Sequence, residues 1–172
     1  MDKVEEARVK SLLLKAKYRD AAKLLNDYLL KTKDDPTAWY LLGIISMRLK
    51  NYESAHEYFE RSFLLKKDYD PLFFDGLAYL EMLDTEAAKR KFLSCIEIDP
   101  DRHEANFYLA ICYLLEGNPL SSNYIKKAFR SNRERTLSLL YNFFNEVIEK
   151  NPFYSKNDKE VAKAALDELK RK

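Results

Sequence analysis

Apolar residues recur along this chain at steps of three and four, the spacing that places them on one side of a helix. Ala21, Ala22, Leu24, Leu25, Tyr28 and Leu29 form one such stripe, and Ala55, Tyr58, Phe59 and Phe63 form another. The pattern predicts helices over residues 3–17, 19–33, 36–50, 52–66, 71–82, 85–98, 102–116, 119–130, 133–150 and 156–171, about ten in all. Asp34-Asp35-Pro36, Asp68-Tyr69-Asp70-Pro71, Asp99-Pro100-Asp101 and Gly117-Asn118-Pro119 punctuate them. A residue before proline avoids the α region, whereas proline itself is tolerated in a first helical turn.

The stripes repeat. Trp39-x2-Leu42-Gly43 followed by Ala55-x3-Phe59 returns as Gly76-x2-Tyr79 followed by Ala88-x3-Phe92, and the first half returns again as Leu109-Ala110-x2-Tyr113. The copies lie 33 or 34 residues apart. Self-similarity at that period marks a solenoid of helix pairs, in which each unit must stack on its neighbours to bury its apolar face. Residues 1–132 read as an array of about four pairs, the first and fourth degenerate. Residues 133–172 read as an apolar helix carrying Leu137, Leu140, Tyr141, Phe144, Val147 and Ile148, then a capping helix whose apolar strip is Val161, Ala165, Leu166 and Leu169.

Composition narrows the class. The 172 residues include only 3 Gly and 5 Pro, too few for an all-β chain of many turns. The net charge of +2 comes from 30 basic and 28 acidic residues, so neither nucleic acid nor an acid-seeking surface is implied. Basic clusters at Arg130–Arg135 and Lys170–Lys172 read as solvated helix ends. Cys95 and Cys112 lack metal-ligand spacing and read as buried thiols between helices. No secretory signal or apolar run of spanning length is apparent, and the simplest compartment is the cytoplasm.

Catalysis needs a convergent nucleophile, base and orienting group. His56 and His103 lie more than one repeat apart, and no Gly-rich phosphate loop, HExxH or GxSxG occurs. The reading is a non-enzyme with no cofactor and no metal.

The repeated residues resemble the tetratricopeptide repeat (TPR), whose pattern is Trp-x2-Leu-Gly-x2-Tyr, then Ala-x3-Phe, then Pro. Trp39, Leu42, Gly43, Ala55 and Phe59 match in one unit, and Gly76, Tyr79, Ala88, Phe92 and Pro100 in the next. Ser46 stands where Tyr is usual, the third unit lacks the Trp, and the first unit is recognisable only through Ala21, Leu25 and Tyr28 of its second helix. The resemblance implies an all-α right-handed TPR superhelix that binds a protein or peptide along its concave wall.

Groove positions carried over from the family are Tyr40, Ile44, Met47 and Arg48, then Phe73, Leu77, Leu80 and Glu81, then Phe107, Ile111, Leu114 and Leu115. Tyr40, Phe73 and Phe107 would form a partly exposed aromatic row. The family's clamp for chaperone C-termini is absent, because Leu41, Asp70 and Phe74 stand at its Asn, Lys and Arg positions. The groove would suit an amphipathic helix or an extended apolar segment. Three arrangements stay open: a groove open to a partner, a groove covered by residues 133–150, or one buried in a homodimer. A scaffold and a small chaperone-like holder of an apolar client segment are the competing functions.

Overall fold

In the computed structural model, which describes residues 1–171, ten α-helices follow one another with no strand among the described residues. They are α1 (Lys3–Leu14), α2 (Tyr18–Leu29), α3 (Pro36–Arg48), α4 (Tyr52–Leu65), α5 (Tyr69–Glu81), α6 (Thr85–Ile98), α7 (His103–Leu115), α8 (Ser121–Ser131), α9 (Arg133–Phe143) and α10 (Lys156–Arg171). The chain divides into two compact units: α1–α6, ending at Pro100, and α7–α10, beginning at Asp101.

Local chemistry sets the repeat. The first helix of each pair ends in the same hydrogen-bond closure, with a left-handed residue just past the helix: Ala16, Lys50, Leu83 and Gly117 have φ of 54°, 59°, 61° and 67°. In each case the left-handed residue and its successor donate back to the last helical turn. Ala16 bonds Leu13 O and Lys17 bonds Leu12 O, Lys50 bonds Met47 O and Asn51 bonds Ser46 O, and so on through Gly117 and Asn118. This closure satisfies carbonyls that a helix end otherwise leaves without partners. The α1–α2 pair shares this closure with the later pairs, although only α2 carries recognisable repeat residues.

Three of the four first helices, α1, α3 and α5, start from an aspartate cap, whereas α7 has no side-chain cap. Asp2 and Asp35 accept backbone N–H groups of their own first turns, Val4 and Glu5 from Asp2 and Ala38 from Asp35. Asp68 occupies the same position before α5 and accepts from Tyr69. Helix α5 therefore begins two residues before Pro71, which falls inside its first turn where its missing N–H is not needed. Helix α2 ends at Leu29, ahead of the Asp-Pro break, as Lys31 and Thr32 turn back onto the Tyr28 carbonyl.

In the first unit each helix packs on the next, and α3 also packs on α5. Phe59 and Phe92 fill the two complete pairs and are fully buried. A β-carbon on Gly43 would lie 2.5 Å from the Phe59 ring, and one on Gly76 2.7 Å from that of Phe92. Cys95 is buried here, its thiol 3.9 Å from the Tyr69 carbonyl.

In the second unit α7 pairs with α8, and α9 packs on both. The fully buried Thr136 hydroxyl lies 2.9 Å from the Ala128 carbonyl and 2.6 Å from that of Asn132, which joins α9 to the end of α8. The expected single helix over 133–150 is interrupted: after Phe143 the backbone widens into a π-helical turn, Phe144–Ile148, with Glu149 N–H bonding Phe144 O at 2.8 Å. An extra residue in the turn rotates the succeeding side chains off the apolar face. Phe144 is buried, while Val147 is exposed. In the capping helix Leu166 is buried, whereas Val161, Ala165 and Leu169 are exposed. No helix among the described residues is long and apolar enough to cross a membrane.

Candidate functional site

The inner-helix positions expected to line a groove fall into three kinds. Met47, Phe73, Phe107 and Ile111 are core residues. Tyr40, Ile44, Leu77 and Leu80 are half-buried, and Arg48, Glu81, Leu114 and Leu115 are exposed. The expected aromatic row of partly exposed anchors is not present: Phe73 is 8% and Phe107 1% exposed. The reason is local. Phe73 is wedged among the rings of Tyr69, Phe74 and Phe92, at centroid distances of 5.6, 5.5 and 5.9 Å. Phe73 thus points toward α6, its helix partner, rather than into a groove.

Tyr40 differs, because it packs on the rings of Phe59 and Phe74 at 6.2 and 5.7 Å yet keeps one side accessible. It lies in a cleft of about 260 Å³ bounded by Glu6 and Lys10 of α1, Thr37 and Leu41 of α3, Lys66 at the end of α4, and Asp68, Asp70 and Pro71 at the start of α5. Three first helices thus meet at one concavity. Its rim is charged rather than apolar: Lys10 pairs with Glu6 at 2.5 Å and Lys66 with Asp68 at 2.7 Å. Further along the same helices, Ile44 and Leu77 rest on the Met47, Ala55, Phe59 and Ala78 core. Tyr52 closes that end by donating its hydroxyl to Glu81 at 2.9 Å.

The two histidines lie in different units and each has a local partner. His56 Nδ1 meets the buried Asp75 carboxylate, whose other oxygen holds Lys91 at 2.8 Å, and the imidazole stacks on Tyr79 at 3.8 Å. Burial pushes the Tyr79 phenol above its ordinary range, with the Asp75 charge adding to the effect. His103 lies 3.1 Å from Glu104. Burial pushes its imidazole below the ordinary histidine range, against the opposing pull of Glu104. No group of His, Cys, Asp or Glu among the described residues is arranged to hold a metal.

A second concavity was not anticipated. It lies between α9 and α10, where only a capping role was expected, and is lined by Arg133, Glu134, Leu137, Ser138, Tyr141 and Lys170. One residue of each basic cluster, Arg133 and Lys170, lines it, and nothing in their spacing along the sequence says that they meet.

Residues 36–69 match the sequence profile described as tetratricopeptide repeat. None of the curated proteins matches the chain. Among solved structures, a MamA fragment from Desulfovibrio magneticus RS-1 is 18% identical, with 98% of this chain and 94% of that one covered at a TM-score of 0.72. Another MamA structure is 21% identical over 74% of this chain and 75% of that one, at a TM-score of 0.69. YrrB, described as a TPR protein with an unusual peptide-binding site, is 19% identical, covering 80% of this chain and 72% of its own, at a TM-score of 0.67. At such identities the likeness concerns the fold.

Proposed function

We propose that this chain, a member of the tetratricopeptide-repeat family, is a non-catalytic interaction scaffold that holds a partner's peptide segment against α1, α3 and α5. The observation that carries the reading is the cleft over Tyr40, where three successive first helices supply an aromatic floor and a rim of both charges. An extended segment would place one apolar side chain on Tyr40 and Leu41. Its polar groups would meet Lys10, Lys66 and Asp70. Beyond the cleft, Ile44, Leu77 and Leu80 offer a half-buried apolar track for the rest of an amphipathic segment. The description of YrrB as peptide-binding supports this use of the fold.

A non-catalytic role fits the histidines, since Asp75, the charged partner of His56, is enclosed between helices and His103 is buried against Glu104. The test is affinity capture from native extract with the intact chain and with Tyr40→Ala, Ile44→Glu and Leu77→Glu variants. Loss of the same partner in all three supports the cleft and its track. Full capture by all three places the partner elsewhere.

A second reading, self-association, draws on a separate feature. Leu30, Leu64 and Ile98 recur every 34 residues at the ends of second helices, and all three are exposed. A repeated apolar row of this kind is a typical association surface. Sedimentation of the intact chain against Leu64→Glu tests it: a concentration-dependent dimer that dissociates in the variant would support this reading.

A further inference from the structure

Arg133 and Lys170, far apart in the sequence, meet in the second unit around one apolar trough of about 440 Å³. Arg133 rises from the first turn of α9 and Lys170 from the last turn of α10. Between them Leu137 and Tyr141, one turn apart on α9, are half-buried and line the trough. The rims are held in place by contacts of their own. The Arg133 guanidinium donates to the Leu169 carbonyl and lies 5.8 Å from the Phe129 ring centroid. The Lys170 ammonium lies 5.9 Å from the Tyr141 ring centroid.

Two cations, Arg133 and Lys170, line this trough. Asp167 of α10 accepts the Tyr141 hydroxyl at 2.8 Å. Among the described residues no carboxylate forms an ion pair with Arg133 or Lys170. Glu134 also lines the trough, and it pairs with neither cation. An apolar floor with cations on two sides is complementary to a segment that is apolar at one position and acidic on either side.

We propose that the α9–α10 trough is a second docking site, for a short acidic amphipathic peptide. One large apolar side chain of the peptide rests on Leu137 and Tyr141, and its flanking carboxylates reach Arg133 and Lys170. Peptide is favoured over nucleic acid because the trough admits a side chain between its cations, whereas a phosphate backbone calls for a continuous basic track. The proposal is independent of the α1–α3–α5 cleft, since it uses only residues of the second unit.

The test is fluorescence anisotropy on the intact chain with a labelled peptide of Leu, Phe and Glu. Its Lys-for-Glu counterpart, a single-stranded RNA and phosphatidylserine vesicles serve as competing probes. The acidic peptide should bind saturably, weaken with salt, and outcompete the other three. Lys170→Glu changes an exposed helix-end side chain and should weaken binding about tenfold or more, as should Leu137→Asp. Circular dichroism and melting of both variants exclude unfolding as the cause. Ile44→Glu, in the first unit, should leave binding unchanged.

Equal binding of the lysine peptide would overturn the proposal, as would binding of RNA or vesicles without the acidic peptide. Indifference to Lys170→Glu would do the same. Loss of binding in Ile44→Glu with retention in Lys170→Glu would move the peptide to the first-unit cleft, failing this proposal while supporting the other.

Discussion

The ring of Phe59 occupies the space above Gly43, so close that a β-carbon there would sit 2.5 Å from the ring. Gly76 and Phe92 repeat the relationship one unit later, at 2.7 Å. Exposed glycine in a helix costs about 1 kcal/mol relative to alanine, so these positions sacrifice helix propensity for close approach. Gly43→Ala and Gly76→Ala should therefore destabilise despite the better helix former, by about 1–2 kcal/mol net through overpacking. Urea unfolding checks this, and an upward shift in midpoint would show that the phenyl rings move aside at little cost.

Lys50 and Leu83 hold the left-handed conformation that Gly117 takes without a side chain. A non-glycine residue there costs about 1–2 kcal/mol. Leu83 is 77% exposed, so removing its side chain sacrifices little packing. Lys50→Gly and Leu83→Gly should each raise stability by roughly 0.5–1 kcal/mol, the remainder being lost to greater freedom of the unfolded chain. Thermal melting of each single variant gives the answer.

Lys17 precedes α2 with no side-chain acceptor, whereas Asn51 and Asp84 at the same repeat position accept Ser54 and Ala87 N–H at 3.4 and 3.0 Å. A cation there also opposes the helix dipole. Lys17→Asp should stabilise by about 0.5–2 kcal/mol. Denaturant midpoints measured with and without added salt separate the cap, which survives salt, from the charge effect, which does not.

Asp35 is buried, which by itself would push its carboxyl upward. Hydrogen bonds from the Met1 ammonium, the Tyr28 hydroxyl and Ala38 N–H outweigh burial and hold it below the ordinary carboxylate range. The folded value lies below the unfolded one, so its stabilising contribution is complete at neutral pH and lost as pH falls through the carboxylate range. Unfolding free energy should fall less between pH 7 and pH 3 in Asp35→Asn than in the intact chain. Parallel slopes would show that other carboxylates dominate acid unfolding.

Phe73→Ala and Phe107→Ala should each cost about 3–5 kcal/mol, the cost of emptying a core aromatic site. Tyr40→Ala should cost clearly less, because Tyr40 keeps one side open to the cleft. Comparison of the three melting midpoints separates core from surface at what is nominally one repeat position.

The helices, their number and their pairing are legible in the residues alone. Each rests on local signals: apolar steps of three and four, acidic caps, proline breaks, and a glycine placed against a phenylalanine one helix later. Such signals act within one pair, and the period of 33–34 residues multiplies them. In α1 the geometry shared with the other first helices lies in the backbone, in the left-handed turn at Ala16, which a side-chain pattern does not report.

Which first-helix residues are accessible is a matter of packing between helices. Tyr40 and Phe73 hold one repeat position, yet Phe73 is enclosed by Tyr69, Phe74 and Phe92 while Tyr40 borders a cleft. Burial depends on neighbours contributed by other helices, and one helix's periodicity cannot report it. The α9–α10 trough follows the same logic. Arg133 and Lys170 share no local pattern, and their meeting depends on the angle at which α10 returns to α9 after the π-helical turn at Phe144–Ile148. Backbone hydrogen bonding set the elements, and long-range packing chose the surfaces.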